Sequence, residues 1–192
     1  LAGRRWVFGH VSLADADRVR RIADLGLVVT THTNRYVWKE GEQLRDRIGA
    51  DRENEIVPLR ALADAGVTVS LATDNVPPSM WPTVWHAVAR RARGSGTVIA
   101  PDQRLGRMEA LRAASLAGAH LSFEEGEKGS IEAGKLADLA ILSDDPLTCD
   151  EDRLPAIVAR HTIVGGRVVF DRATDAEPFL PDPVPVARGT GP

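Results

Sequence analysis

The chain has 192 residues, enough for one domain with a large core or for one domain with a small appendage. A formal net charge of −3 and scattered basic residues argue against a nucleic-acid partner, and no apolar run approaches the roughly 18 residues of a membrane span. The single cysteine, Cys149, excludes an intramolecular disulfide and fits a reducing compartment, and its acidic neighbours disfavour a reactive thiolate. We therefore expect a cytoplasmic globular protein that binds neither nucleic acid nor membrane.

The first 120 or so residues alternate between short apolar runs and segments with helical spacing. We predict strands at 5–9, 27–31 and 67–72, and helices at 12–25, 55–65, 82–93 and 107–119. Between them, the polar segment 34–54 holds Gly41 and Gly49 and is predicted to be a long loop with a helical turn. Such alternation is typical of parallel βαβ units with the helices packed outside the sheet.

From Lys128 onward the pattern changes. A glycine turn leads into the apolar run 139–142, and the segment 157–170 holds two short apolar runs joined by Gly165 and Gly166, which favours a β-hairpin. The proline-rich residues after 172 predict an extended, poorly ordered end. Because the sequence starts at Leu1, without an initiator methionine or a signal peptide, we interpret it as part of a longer protein.

Polar side chains stand where two predicted strands end. His10 follows the first strand and Asp74 follows the third, and in parallel α/β barrels the carboxyl ends of the strands form the active face. Imidazole nitrogen and carboxylate oxygen suit Zn²⁺, Mn²⁺ or Fe²⁺, and a bound metal would activate water for hydrolysis. Each residue also has a structural interpretation, His10 as an ordinary strand-end histidine and Asp74 as a turn or helix-cap residue.

His32 ends the middle predicted strand and is a third candidate, as a substrate or metal contact or as a residue that only makes loop hydrogen bonds. Three other histidines lie on a predicted helix, at a helix end and in the β segment. These are predicted to be structural: His86, His120 and His161.

Together these segments resemble a known family. The order of a strand before His10, two βα units, a strand before Asp74, a further helix and KGSIEAGKLADLAIL at 128–142 resembles the carboxyl-terminal part of metal-dependent amidohydrolases. LATDNVPPS and its spacing from His10 resemble in particular the amidohydrolase family 3 branch, which includes N-substituted formamide deformylases. The resemblance covers about residues 4–172 and so nearly the whole chain.

A fold follows from this resemblance. The chain is expected to be α/β, the carboxyl-terminal portion (about strands six to eight) of a (β/α)8 TIM-type barrel with part of a small β-sandwich. Residues 1–125 would belong to the barrel, 126–172 to the composite sandwich and 173–192 to an extended tail.

Roles for the strand-end residues come from the same resemblance. His10 matches the histidine after barrel strand six, a metal ligand in binuclear members and a substrate contact in some mononuclear deaminases. Asp74 matches the aspartate after strand eight, which binds metal and takes the proton of the attacking water. The implied cofactor is a divalent metal, zinc, as one or two ions.

Other metal ligands of the family are absent from this sequence: a His-x-His pair after strand one, a lysine or glutamate after strand four and a histidine after strand five. We therefore expect the isolated chain to bind metal weakly and to be inactive, with the missing amino-terminal part of the same enzyme as its partner.

The implied activity is hydrolysis of a non-peptide carbon–nitrogen bond in a small amide, formamide or cyclic amide. His32, Tyr36 and Trp38 are the expected substrate contacts, while Trp81 and Trp85 would either wall the pocket or pack between helices. One alternative is an aminohydrolase that releases ammonia from a heterocycle. Another is a non-catalytic interaction module, in which exposed strand edges promote a homo-oligomer or partner binding.

Overall fold

The structure, a computed structural model, describes residues 3–74 and 79–175. Residues 172–175 form turns and a bend, and the rest of the predicted extended tail lies outside the described residues. Within the two described ranges, no helix is both long and apolar enough to cross a bilayer.

Strands and α-helices follow each other in the predicted alternating order. They are β1 (Val7–Phe8), α1 (Ala16–Asp24), β2 (Val28–Thr31), α2 (Gly41–Ile48), α3 (Leu59–Asp64), β3 (Val69–Leu71), α4 (Met80–Ala89), α5 (Arg107–Ala114), α6 (Leu116–Leu121), β4 (Leu139–Leu142), β5 (Ala159–Val164) and β6 (Arg167–Asp171). Shorter helical turns of other types are the π-helix Asn34–Lys39 and the 3₁₀ helices Ala50–Glu55, Pro101–Gln103 and Glu151–Ala156.

A parallel sheet in the order β1-β2-β3 forms the centre of the first half of the chain. Strand β2 consists of β-branched residues, and both β2 and β3 are largely buried, as expected for parallel strands with helices over their faces. Helices α5 and α6 pack on β3, and α1 packs on α3. The predicted parallel βαβ arrangement is confirmed, although the strands are shorter than predicted.

The segment 34–54 is helical, so the prediction of a long loop is wrong. The π-helix, α2 and the first 3₁₀ helix follow one another there. Val37, a residue of the π-helix, is fully buried. Gly41 marks a close approach, because a Cβ at this position would lie 2.9 Å from Ile99 Cγ1. Gly49, with φ 91°, ends α2. Both glycines serve helix packing and helix termination here.

Helix α4 also differs from the prediction, since it begins at Met80 and ends at Ala89 instead of continuing to Arg93. Arg90 follows it in the left-handed conformation, with φ 53°. Its fully buried guanidinium donates to the backbone carbonyls of Ile99 and Ile56, both at 2.7 Å, and of Val57 at 3.1 Å. These bonds hold the helix end against two other segments and turn the chain away from the helical path.

The predicted helix 107–119 is divided into α5 and α6 at Ser115, whose φ of −132° and ψ of −78° are not helical. Gly129 packs closely against the second piece, because a Cβ there would lie 3.0 Å from Leu116 Cα and 2.8 Å from Ala119 Cβ. Periodicity alone does not register this break, since apolar residues keep helical spacing across it.

The carboxyl-terminal segment forms an antiparallel sheet in the order β4-β5-β6, and the predicted hairpin turns at Gly165 and Gly166. A hydrophobic cluster joins this part of the chain to α4. Its buried members are Trp85, Ala89, Leu154 and Ile157, with Trp38, Trp81, Leu142 and Cys149 packed against them. Helix α4 is therefore covered on two sides, which explains its almost uniformly apolar sequence.

Candidate functional site

Three polar side chains follow the three parallel strands at one edge of the sheet. His10 lies just beyond β1, His32 directly after β2 and Asp74 just beyond β3. The register pairs Phe8 with Val29 and Thr31 with Leu71, so all three strands end at the same edge. The expected common edge for His10 and Asp74 is thus observed, and His32 lies between them.

His10 and Asp74 share an uncommon backbone conformation. Their φ angles are 59° and 54°, in the left-handed region that non-glycine residues seldom adopt, and both residues are exposed. Backbone hydrogen bonds to β2 flank both positions: Val11 N donates to Thr30 O at 3.2 Å, and Ala72 N donates to Thr31 O at 3.1 Å. Disfavoured conformations persist where neighbouring contacts enforce them, and they are frequent at functional sites.

His32 is the buried member of the group, with 6% of its surface exposed. Burial lowers the pKa of His32; the negative charge of Asp74 partly opposes this effect, and His10 adds to it. The Ala72 carbonyl lies near enough to favour the protonated ring, yet neither ring nitrogen makes a hydrogen bond of normal geometry within the described residues. The lowered pKa thus favours the neutral imidazole at this strand edge, where neither ring nitrogen has a partner of normal geometry among the described residues.

The rings of His10 and His32 are in contact, with centroids 4.4 Å apart and planes tilted by 48°. Tyr36 lies in the π-helix that follows, and its ring centroid is 6.4 Å from that of His32, with the ring planes at 62°. Among the expected substrate contacts, the structure thus brings His32 and Tyr36 together beside His10.

Trp38 has different neighbours, although it is only two residues beyond Tyr36. Its ring stacks on His86 at 5.4 Å, with the guanidinium of Arg93 over it at 5.1 Å. It also packs against the cluster around Trp85 that joins α4 to the second sheet. Trp81 and Trp85 pack in the same cluster, in agreement with the helix-packing alternative for these two residues.

The remaining histidines occupy the structural positions predicted for them. His86 is buried in α4 between two tryptophan rings, and burial lowers its pKa to about 3. His120, near the end of α6, accepts a hydrogen bond from Arg5 at its carbonyl. His161 lies in β5, with its Nε2 3.6 Å from a carboxylate oxygen of Asp171 on β6.

Donor chemistry at the strand edge suits a transition metal, but the number of ligands does not complete a site. Imidazole nitrogen and carboxylate oxygen are ordinary zinc ligands, and the unused nitrogens of His32 add donor capacity beside His10. Within residues 3–74 and 79–175, however, no three His, Cys, Asp or Glu side chains are grouped closely enough to hold an ion. The described residues therefore do not form a metal site by themselves.

One polar residue at this edge was not singled out from the sequence. Asn34, which starts the π-helix and is 3% exposed, donates from Nδ2 to the carbonyl of Thr73 at 2.6 Å. The available signal was its place two residues after the strand-end histidine. Asn34 is missed because the segment 34–54 is predicted to be a loop.

An open groove of about 650 Å³ lies away from these residues, along the free side of β3. Its wall includes Val67, Thr68 and Val69 together with apolar residues of α5 and α6. None of the candidate site residues lines it, so this groove is distinct from the polar strand edge.

Comparison with known proteins agrees with this architecture. The model of the family described as "Amidohydrolase family" matches residues 1–170. The chain is 35% identical over 167 residues to an N-substituted formamide deformylase of Arthrobacter pascens, covering 85% of this chain and 30% of that protein.

Solved structures give the same picture of the fold. A metal-dependent hydrolase of Pyrococcus horikoshii OT3 superposes with a TM-score of 0.65 at 26% identity, covering 76% of this chain and 30% of that one. A variant of atrazine chlorohydrolase from Arthrobacter aurescens TC1, solved with zinc and atraton, superposes with a TM-score of 0.55 at 21% identity, covering 86% and 36%. The neighbours have the TIM-type barrel of amidohydrolases, and this chain spans less than half of each.

The family match covers most of the sequence, and the parallel α/β sheet with polar residues at its carboxyl edge agrees with it. The chain belongs to the amidohydrolase family.

Proposed function

We propose that this chain is the carboxyl-terminal part of a metal-dependent hydrolase that cleaves non-peptide carbon–nitrogen bonds in small amides, formamides or cyclic amides. The observation that carries the proposal is that His10, His32 and Asp74 follow three parallel strands at one edge of the sheet, with the rings of His10 and His32 in contact. The family match and the similarity to a formamide deformylase support the reaction class. In this proposal β1, β2 and β3 are barrel strands six to eight.

His10 and Asp74 would hold a divalent metal, zinc, together with ligands from sequence that precedes this chain in the complete enzyme. A metal in that position would polarise the scissile carbonyl and lower the pKa of the attacking water. The carboxylate of Asp74 accepts the proton of the attacking water and delivers it to the departing nitrogen, so one group acts first as base and then as acid. Its exposed position at the rim of the sheet suits a group that exchanges protons.

The substrate would lie against the neutral ring of His32 and the edge of Tyr36. His32 can donate from one ring nitrogen and accept at the other, which fits an amide that has both a carbonyl and a nitrogen. Trp38 lies two residues farther along the same π-helix. It would contact the apolar part of the substrate while it stays packed on His86.

The partner implied by the proposal is the remainder of the same enzyme. Within residues 3–74 and 79–175, the side of β3 away from β2 pairs with no other strand and borders the apolar groove, and an edge of this kind is one that another strand covers. Because the isolated chain lacks the ligands that the rest of the enzyme would supply, we expect it to bind zinc weakly and to lack turnover. We also expect it to self-associate through this strand edge. A cytoplasmic location remains part of the proposal.

The test uses the complete polypeptide that contains this chain, purified with zinc. Formate release from an N-substituted formamide is measured beside ammonia release from an amino-substituted heterocycle, before and after chelation. We expect formate release that stops with the chelator and returns with zinc. Ammonia release alone would replace the proposal with the aminohydrolase alternative, and no turnover of either kind would favour a non-catalytic interaction module.

A further inference from the structure

The hydrogen-bonded ladder between β2 and β3 ends close to the candidate catalytic carboxylate. Its last backbone contact is Ala72 N to Thr31 O, at 3.1 Å. Beyond Thr31 the chain turns into the π-helix, so its backbone no longer runs beside the residues that follow β3. The next residues, Thr73 and Asp74, therefore need another support if their conformation is to be fixed.

Asn34 provides that support from its side chain. It is 97% buried, and its Nδ2 donates to the carbonyl of Thr73 at 2.6 Å. That carbonyl belongs to the peptide group that joins Thr73 to Asp74, so holding it restricts the rotation about both ends of this peptide. One of these rotations is φ of Asp74, which lies at 54°.

We infer that Asn34 is a positioning residue for Asp74: it continues the β2–β3 ladder by one side-chain bond and thereby keeps Asp74 in the left-handed conformation that directs its carboxylate toward His32. This inference rests on the proposed function for its catalytic consequence, while its structural part stands on the bond itself. Without the bond, Asp74 relaxes toward the extended or right-handed region that an aspartate prefers.

A general role in holding the π-helix is the competing explanation, and Thr33 allows the two to be separated. Thr33 Oγ1 donates to the carbonyl of Thr83 at 3.0 Å, in the fully buried interface with α4. Thr33→Val removes one buried hydrogen bond from the start of the same helix and leaves the Asn34 contact with Thr73 in place. It is therefore a matched control for Asn34→Ala.

The first experiment is NMR on the 192-residue chain and on both variants. A residue with positive φ gives a strong cross-peak between its own amide and Hα protons. We expect this signal for Asp74 in the wild type and in Thr33→Val, and its loss in Asn34→Ala. Persistence of the signal in Asn34→Ala, or equal loss in both variants, would overturn the inference.

Should Asn34→Ala fail to fold, Asn34→Leu replaces it, because it keeps a branched side chain of similar size, removes the donor and brings no charge into this buried position. A double-mutant cycle with Asp74→Gly then supplies a second measurement. Glycine tolerates positive φ, so Asp74→Gly should stabilise the wild type more than it stabilises the Asn34 variant. Additive effects on unfolding would contradict the proposed coupling.

Turnover of the complete enzyme tests the catalytic consequence. We expect kcat of the Asn34 variant to fall on the order of 10- to 100-fold, since a small displacement of a catalytic group has effects of this size, with KM within about a factor of two. Unchanged kcat with a lost NMR signal would overturn the catalytic part. A wild-type enzyme with no hydrolysis would instead contradict the proposed function, while the NMR result still decides the positioning role.

Discussion

Two buried histidines of this molecule have similar burial but different surroundings. His32 is 6% exposed and His86 is 2% exposed, and in both burial is the largest cause of a lowered pKa. For His86 it is the only cause, because the ring is enclosed by Trp38 and Trp85. His32 instead shares the strand edge with the charge of Asp74 and the ring of His10.

The comparison teaches that burial and a shifted pKa do not by themselves identify a site. What distinguishes His32 is its topological position, since parallel strands deliver their following residues to a common edge. His86 lies in the middle of a helix whose surface is almost entirely covered, and its ring packs between Trp38 and Trp85. Substitutions in the two regions should therefore affect different properties.

The largest expected effect concerns the strand edge. Asp74→Asn in the complete enzyme should lower kcat by roughly 10²- to 10⁴-fold, because an amide cannot accept and return the proton. Steady-state hydrolysis of an N-substituted formamide measures this effect. Asp24→Asn, at the exposed end of α1, is the control and should leave kcat within about twofold. Equal rates in the wild type and Asp74→Asn would remove this carboxylate from the reaction.

The next effect is a pH dependence of stability that belongs to His86. Its unfolded form takes up a proton near the ordinary pKa of 6.5 and its folded form only near 3. Between these values the unfolded state binds more protons, so stability is complete above pH 6.5 and falls as the pH drops toward 3. The slope is on the order of 1.4 kcal/mol per pH unit.

Urea unfolding between pH 4 and 8 measures this slope, and His86→Phe should flatten it by removing the titrating ring while keeping an aromatic side chain for the stack on Trp38. Val88→Ala serves as the control, since it removes buried apolar volume from the same helix without a titratable group. It should lower the free energy of unfolding equally at every pH. An unchanged slope in His86→Phe would show that other groups cause the acid sensitivity.

A smaller effect separates the two histidines by stability at neutral pH. His32→Leu should leave the free energy of unfolding within about 1 kcal/mol of the wild type, because the ring nitrogens make no hydrogen bonds of normal geometry to the residues that the structure describes. His86→Leu should cost about 1–2 kcal/mol, since it removes an aromatic contact in a packed cluster. Thermal or urea unfolding of both variants gives the difference. A larger loss in His32→Leu than in His86→Leu would reverse the comparison.

The polar strand edge can be predicted from the sequence, because it depends on the regular apolar runs that form the strands. Apolar β-branched runs identify parallel strands, and the residues that follow them, His10, His32 and Asp74, can be read directly. Helix ends and irregular helices are harder to predict from the sequence. The helical character of segment 34–54 depends on long-range packing, such as Val37 in the core and Gly41 against Ile99, which periodicity does not encode.

Contacts between residues that are distant in the chain also cannot be predicted from the sequence alone. The bond from Asn34 to Thr73 and the buried guanidinium of Arg90 depend on tertiary placement. An asparagine or arginine in a polar or mixed segment is predicted to be exposed, and only the tertiary structure shows that it is buried. The catalytic roles of His10 and Asp74 and the substrate contacts of His32, Tyr36 and Trp38 remain proposals.

The central claim is that His10 and Asp74 act on one metal ion in the complete enzyme, and metal analysis of the purified protein tests it most directly. Zinc per polypeptide is measured for the wild type, His10→Ala, Asp74→Ala and the control Asp24→Ala. The account predicts bound zinc in the wild type and the control, and a clear loss in both strand-edge variants. Zinc content that is unchanged in His10→Ala and Asp74→Ala would contradict it.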